Sequence, residues 1–149
     1  MEYIIMSDYT TKKSRVYVVQ GKPVPLNRPR IGEYGVYDSQ RSVKAKMMNE
    51  LQLQRNKDAT LCGMLHMHMD FYMPLPKTKS HRKHLIQQKY HVYRPDLSNL
   101  IKMIEDVCVD VGIIEDDCLI ASITARKLYG DPSRTEFYFS RLIKETDYE

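Results

Sequence analysis

RPDLSNLIK (residues 94–102) and EDD (residues 115–117) bracket the most informative part of this chain. Between them, apolar residues recur at helical spacing, which predicts an amphipathic helix that opens at Pro95-Asp96 and stops at Gly112. Acidic residues therefore lie at both ends of one helix. Crowded carboxylates need a positive partner, and Mg²⁺ takes a few carboxylates together with water and phosphate oxygens. The pattern predicts a divalent metal site, for Mg²⁺ or alternatively Mn²⁺.

The charge distribution supports a phosphate-containing partner. From Phe71 to Pro95 there is no Asp or Glu, whereas six basic residues occur there. From Asp96 to Asp117 there are seven acidic residues and one cation, Lys102. A basic segment beside an acidic cluster suits a polyanion that is first held and then cut, so we expect a metal-dependent nuclease. Lys102 would stabilise negative charge on the phosphate; the alternative is a surface lysine paired with a neighbouring acid on the helix.

The composition fits one small domain without membrane segments. The chain has 149 residues and a formal net charge of +4, with 42% hydrophobic and 28% charged residues. No apolar run approaches the ~20 residues of a membrane helix, and the N-terminus lacks the pattern of a secretory signal. Cys62, Cys108 and Cys118 form no metal-binding pair, and their apolar surroundings predict reduced core thiols in the cytoplasm.

The order of predicted elements indicates an α+β fold with a mainly antiparallel sheet of about four strands and two main helices. Residues 1–14 are expected to be a loosely ordered lead-in, and residues 15–149 a single domain. Ser39 is expected to cap the first helix. The predicted elements are strands at 15–20, 61–73, 117–128 and 136–142, helices at 39–56 and 95–111, a loop at 21–35, a short helix at 80–89, and a turn at 130–133 that makes the last two strands a hairpin.

Each candidate residue also has an ordinary structural explanation. Asp96 can be a helix N-cap, and Asp116-Asp117 a polar turn. His66, His68 and Asp70 share one face of a predicted strand and resemble part of a metal motif of metallo-β-lactamase-like hydrolases. The histidine that should follow is replaced by Phe71, so an exposed polar strand face is favoured over a metal site.

Several segments, in order, resemble the RusA-type Holliday junction resolvases of bacteria and phages. PLNRPR (25–30) resembles an early basic loop of that family, and PLPKTKS (74–80) its basic connector. RPDLSNLIK resembles the central motif, usually Pro-Asp-x-Asp-Asn-(x)2-Lys, and EDD follows at the family's spacing. The resemblance covers about residues 16–142. It departs at Ser98, where the family usually has a second Asp.

The resemblance implies a homodimeric, magnesium-dependent endonuclease that makes paired nicks in four-way DNA junctions, without a small-molecule cofactor. Asp96 and Asp117 would bind the metal with Asp116 in support, and Lys102 would assist catalysis. Ser98 can act through a bound water or only as a helix cap, and Asn99 can contribute instead. The alternatives are a junction-binding protein with weakened or lost catalysis and, more remotely, an interaction protein with incidental acids. The expected DNA-binding residues are Arg28, Arg30, Lys77, Lys79, Arg82, Lys83 and Arg94.

Overall fold

The computed structural model describes residues 9–27, 30–33, 35–37 and 39–144 of the chain. A short 3-10 turn, Asp117–Leu119, precedes the sixth strand. The helices and strands are β1 (Tyr9–Lys13), β2 (Tyr17–Gln20), β3 (Arg30–Gly32), β4 (Gly35–Tyr37), α1 (Arg41–Arg55), β5 (Leu65–Met73), α2 (Lys79–Gln88), α3 (Leu97–Val111), β6 (Ile120–Tyr129) and β7 (Arg134–Lys144).

A mixed five-stranded sheet forms the centre of the fold. β5 lies between β6, with which it pairs in parallel, and β7, with which it pairs antiparallel. β1 and β2 both pair antiparallel with the other edge of β7, one after the other along its length. β3 and β4 form a separate two-stranded sheet. The prediction of a single α+β domain with a mainly antiparallel sheet is confirmed, although one pairing is parallel.

β5 is the central strand because one of its faces is entirely apolar. Alternate residues from Leu65 to Met73 point to one side and are at most 1% exposed. This confirms the face that the alternation predicts. Burial of each such side chain contributes about 1.5–3 kcal/mol relative to exposure.

α1 and α3 contribute the other half of the core. Met47 and Leu51 of α1 are buried, and so are six residues of α3. The predicted apolar stripe of α3 is confirmed, with Met103 and Val107 also inside it. The opposite side of α3 stays exposed or half-exposed and carries Asn99, Lys102, Asp106 and Asp110. The polar side of this helix is therefore available to a partner.

α3 ends at Gly112, as its sequence predicts. Gly112 has a φ of 84°, in the left-handed region. Its N–H donates to the carbonyl of Val109, and the N–H of Ile113 donates to the carbonyl of Cys108. This is a Schellman arrangement, which satisfies carbonyls that the helix end would otherwise leave unpaired. It also turns the chain back along α3 toward Asp117.

The predicted hairpin of the last two strands is wrong. β6 and β7 are consecutive in sequence, but β5 lies between them. Residues 130–133 therefore cross the end of β5 instead of joining neighbours. Gly130 donates its N–H to the carbonyl of Met73, and a Cβ at Gly130 would lie 2.7 Å from the Tyr72 ring. Only glycine allows so close a crossing.

Four smaller expectations also need correction. Tyr9–Lys13 of the predicted loose lead-in is a strand, while residues 1–8 lie outside the described residues. Gln40, not Ser39, occupies the N-cap of α1, and it makes no side-chain capping bond there. The predicted loop at 21–35 contains β3. Cys108 is buried, but Cys62 and Cys118 are exposed, so only one thiol belongs to the core. The domain boundary at residue 15 stays a prediction.

None of the helices in the described part of the chain is long and apolar enough to cross a membrane.

Candidate active site and nucleic-acid interface

Asp96 lies at the N-terminus of α3 with an exposed side chain. It occupies the N-cap position, but its carboxylate accepts no capping hydrogen bond. The backbone carbonyl of Asp96 instead accepts from the N–H groups of Asn99 and Leu100, at 3.2 and 3.3 Å. The ordinary explanation of Asp96 as a side-chain cap is therefore not realised. Its carboxylate oxygens remain available to a ligand.

Lys127 of β6 fixes the segment that leads to Asp96. Its Nζ donates to the carbonyls of Tyr93 and Pro95, at 2.7 and 2.8 Å. The sequence assigned no role to Lys127. The strand pattern around Lys127 does not predict these two hydrogen bonds. They form only because the segment that precedes α3 folds back against the edge of the sheet at β6.

Asp117 and Lys102 lie side by side. Asp117 begins the 3-10 turn before β6, and its Oδ2 is 3.9 Å from Nζ of Lys102. Both side chains are about half exposed, at 42% and 56%. An exposed ion pair of this length stabilises the fold by about 0–1 kcal/mol. The pair therefore contributes little to the stability of the fold.

Asp116 uses its carboxylate locally. Its Oδ1 accepts the backbone N–H of Cys118 at 2.9 Å and so caps the 3-10 turn. This hydrogen bond lowers the pKa of Asp116, and the side chains of Cys118 and Asp117 lower it further. Asp116 therefore does serve as the polar turn residue that its ordinary structural explanation predicts. Its carboxyl group nevertheless stays within hydrogen-bonding reach of Asp117, so the two acids share one small region.

Further acids of α3 surround Asp117. Burial raises the pKa of Glu105; Lys102 lowers it, and Asp117 and Asp106 raise it again. Asp106, Asp110 and Asp117 line a surface cavity of about 190 Å³ together with Lys44. The sequence placed Asp106 and Asp110 on the polar side of the helix without giving them a role. Asp106 and Asp110 are distant from Asp117 in sequence, so the sequence alone does not predict that all three line one cavity.

Asp96 lies apart from this group. It lines a different cavity, together with Lys22, Asn27, Arg94 and Asn99 among others. At a helical rise of about 1.5 Å per residue, Asp96 is about 9 Å along α3 from Lys102. The structure thus brings Lys102 next to Asp117, whereas Asp96 and Asp117 line different surface cavities.

The donor chemistry of the Asp116–Asp117 pair fits a magnesium ion. Mg²⁺ typically takes one or two carboxylates and completes its coordination with water and substrate phosphates. Adjacent carboxyl groups beside a single lysine supply such donors. Within the described residues, however, no three His, Cys, Asp or Glu side chains are arranged to hold a metal ion. The protein alone supplies an open, incomplete ligand set.

Ser98 and Asn99 occupy the first turn of α3, and both are exposed. Because Asp96 is the N-cap, Ser98 is not, and that alternative is wrong. Ser98 precedes Lys102 by four residues, so their Cβ atoms lie about 5–6 Å apart on one helix face. The carbonyl of Asn99 accepts the N–H of Leu26 at 2.9 Å, which ties the early basic loop to α3.

The predicted DNA-binding residues are only partly described. Lys77, Arg82, Lys83 and Arg94 are exposed, as a phosphate-binding role requires. Arg82 also lies 3.5 Å from the Asp131 carboxylate. Arg28 lies outside the described residues. Arg30 lies in β3 and Lys79 at the start of α2, and their side chains are not described.

His66, His68 and Asp70 form a hydrogen-bonded network on the sheet. His66 Nδ1 is 2.7 Å from Ser122 Oγ, and His68 Nε2 is 3.1 Å from the Asp70 carboxylate. Arg126 donates to the same carboxylate at 2.8 Å. The preference for a polar strand face over a metal site agrees with this network, but Asp70 is only 8% exposed and not on the open surface.

Comparison with known proteins agrees with these elements. The family model described as endodeoxyribonuclease RusA matches residues 20–137, which include the basic connector, α3 and the Asp116-Asp117 turn. No curated protein matches the chain. The chain belongs to the RusA family of endodeoxyribonucleases. This family consists of nucleases that act on branched DNA and resolve Holliday junctions.

Proposed function

We propose that the chain is a magnesium-dependent endonuclease that resolves four-way DNA junctions by paired symmetric nicks. It would act as a homodimer, in the cytoplasm of a bacterial or phage-infected cell. The observation that carries this proposal is the placement of Lys102 beside Asp117, next to Asp116 and at the polar side of α3. A cation beside adjacent carboxylates suits metal-assisted phosphodiester hydrolysis.

Asp117 and Asp116 would hold the ion, and Asp96 would complete its ligand set. Magnesium, when bound, supplies an activated water and offsets charge on the scissile phosphate. Lys102 would donate a hydrogen bond from Nζ to a non-bridging phosphate oxygen, where negative charge grows in the transition state. The nearby Asp117 carboxylate would orient the ammonium group of Lys102. Lys127 would hold the Tyr93–Asp96 segment in position through its two carbonyl contacts.

The basic residues would hold the DNA backbone without reading its sequence. Lys77, Arg82, Lys83 and Arg94 are exposed on segments that precede α3, and Arg28, Arg30 and Lys79 would extend this surface. Such contacts release counterions from DNA, so affinity should fall steeply with salt. In a dimer, the two-fold axis would present two such surfaces to a nearly two-fold junction, which accounts for paired nicks.

The decisive experiment is cleavage of a synthetic four-way junction by the purified full-length chain in magnesium. We expect paired nicks from the wild type and none from Asp117→Asn, which should still bind the junction in EDTA. Glu115→Gln is the matched control, because Glu115 is exposed two positions away and lines neither cavity described above. Intact strands after long incubation at several protein concentrations would remove the enzymatic proposal.

The role of Asp96 needs its own measurement, because Asp96 and Asp117 line different surface cavities. If Asp96 completes the metal site, Asp96→Asn should cleave only at higher magnesium concentrations than the wild type. An unchanged magnesium dependence would remove Asp96 from the ligand set while leaving Asp117 in place.

A second candidate is a junction-binding protein with weakened or lost catalysis. Ser98 favours it, because this exposed hydroxyl lies one turn before Lys102, where a carboxylate would stand beside the lysine. A hydroxyl is a poorer magnesium ligand than a carboxylate. This candidate predicts tight binding without cleavage, and cleavage on introduction of Ser98→Asp. Cutting by the wild type that Ser98→Asp does not accelerate would exclude it.

A further inference from the structure

An aromatic cavity lies next to the segment that leads to Asp96. It has a volume of about 330 Å³, and its walls include Pro74, Pro76, His91, Tyr93 and Tyr129. The His91 ring meets Tyr93 edge-on at 5.9 Å and lies tilted against Tyr129 at 5.2 Å. Flat apolar rings and prolines form a surface suited to another flat ring.

The backbone of this cavity is fixed to the sheet. The N–H of His91 donates to the carbonyl of Lys127, and the N–H of Tyr129 donates to the carbonyl of Lys89, both at 2.9 Å. Nζ of Lys127 holds the carbonyl of Tyr93. A preformed wall costs little ordering on binding, so it favours recognition.

Two features of the cavity are not explained by ordinary packing. Tyr93 is 63% exposed, and Val92 beside it is 69% exposed, so these side chains add little to the core. Nδ1 of His91 is inaccessible to solvent and has no hydrogen-bond partner in the described structure.

The surroundings of the cavity are positively charged. Exposed basic side chains flank it on both sides in sequence, at Lys77, Arg82, Lys83, Lys89 and Arg94. Burial lowers the pKa of His91 first, and the charges of Lys127 and Lys22 lower it further. Lys22 also lines the cavity that contains Asp96. At most about 11 Å of chain separates Tyr93, in the wall of the aromatic cavity, from Asp96, in the wall of the other cavity.

We propose that this aromatic cavity binds an unpaired nucleobase of the DNA substrate at the branch point, stacked on Tyr93. The surrounding cations would hold the phosphates on either side of that base. Stacking on aromatic side chains suits every base, because each has a flat π-face. Bases are accessible in this way only where pairing is interrupted, as at an unpaired nucleotide of the branch point and not within a continuous duplex. The inference rests on the proposed function and adds a structure-selecting element to it.

Junction binding in EDTA tests the cavity without cleavage. One probe is a fluorescent four-way junction with a single unpaired nucleotide at the branch point. The other is the same junction with an abasic analogue at that position. The wild type should bind the first about 5- to 150-fold more tightly, the range that stacking of one base supports. Tyr93→Ala should bind both probes about equally.

Two further variants control for other effects. Tyr93→Phe keeps the ring and should retain the preference. Tyr90→Ala should also retain it, because Tyr90 is 52% exposed in the same segment but is not part of the cavity wall. Thermal unfolding of Tyr93→Ala should match the wild type, since the lost ring is mostly exposed.

The outcomes separate this inference from the proposed function. Equal binding of both probes by the wild type, or an unchanged preference in Tyr93→Ala, overturns the base pocket while junction cleavage stands. Absence of salt-dependent binding to any junction overturns both.

Discussion

Asp70→Asn should destabilise the protein substantially, because Asp70 is a nearly buried carboxylate in the middle of the sheet. It is 8% exposed and lies between Arg126 on β6 and Glu136 on β7. Its two oxygens contact Nε of Arg126 at 2.8 Å and Nε2 of His68 at 3.1 Å. The substitution keeps the size of the side chain and removes its charge.

The expected loss is about 1.5–3 kcal/mol. A hydrogen bond to a charged group contributes about 1.5–3 kcal/mol, and an amide beside Arg126 retains part of one such bond. Arg126 is 43% exposed, so solvent screening keeps the loss below that of a fully buried pair. Burial alone raises the pKa of Asp70, but hydrogen bonds from Arg126 and His68 outweigh it and lower the pKa below its usual value.

The sign of the pH dependence follows from this lowered pKa. Stability that depends on the ionised carboxylate is fully present above the unfolded pKa of about 3.9 and is lost as pH falls through the lower folded pKa. The gap between wild type and variant should therefore be full at pH 7 and 5 and should narrow below about pH 4.

Urea unfolding at these pH values measures the gap directly. Asp131→Asn is the matched control, because Asp131 is 74% exposed and only 3.5 Å from Arg82. That change should cost no more than about 1 kcal/mol. If Asp70→Asn lowers the free energy of unfolding at pH 7 by less than about 0.5 kcal/mol, a loss typical of an exposed ion pair, the ionised carboxylate does not stabilise the fold as argued. The same conclusion would follow from a gap that persists unchanged as Asp70 protonates.

Three other substitutions test the fold and the site. Gly130→Ala should cost about 1–3 kcal/mol in urea unfolding, because the new Cβ would lie 2.7 Å from the Tyr72 ring; an unchanged midpoint would contradict the close crossing. Gly112→Ala should cost about 1–2 kcal/mol, because alanine is strained at a φ of 84°. A steric clash adds nothing, since the new Cβ would lie at an ordinary 3.5 Å from Arg55. A neutral effect would mean that the helix end relaxes. Lys102→Met should slow junction cleavage about 10²- to 10³-fold while changing stability by at most about 1 kcal/mol. Equal effects on folding and cleavage would make the contact with Asp117 structural.

Local patterns made much of the fold predictable. The alternation in β5 and the helical stripe of α3 are strong because each element buries one complete face. Gly112 was identifiable as a helix stop because left-handed backbone conformations favour glycine. These features depend on neighbours in sequence, so the sequence alone contains them.

Pairing between distant strands was not predictable in the same way. β1 reads as a polar segment because it is an edge strand whose side chains are mostly exposed, and it is held to β7 mainly by the backbone ladder, with Thr10 Oγ1 also donating to the carbonyl of Ile143 at 3.5 Å. The last two strands suggested a hairpin because a short turn joins them, but the apolar β5 takes the place between them. No local signal distinguishes a turn between neighbours from a turn that crosses a third strand, apart from the glycine at position 130.

The candidate site shows the same division. The sequence identified the charged residues on and around α3, but not which of them meet. Helix geometry separates Asp96 from Lys102 by about 9 Å, whereas the return of the chain after Gly112 brings Asp117 to Lys102. The approach of Asp106 and Asp110 to Asp117 follows from this return, and their sequence positions alone do not reveal it.

The charge around Asp117 supports the proposal that these residues serve function rather than stability. Carboxylates outnumber ammonium groups in this small region, where the structure places Glu105, Asp106, Asp110, Asp116 and Asp117 near Lys44 and Lys102. Like charges at such distances destabilise a folded chain unless a cation joins them. Sites that violate the rules of stable folding in this way are typically functional. The excess of negative charge beside a basic, exposed segment therefore favours a bound divalent cation between the protein and a phosphate.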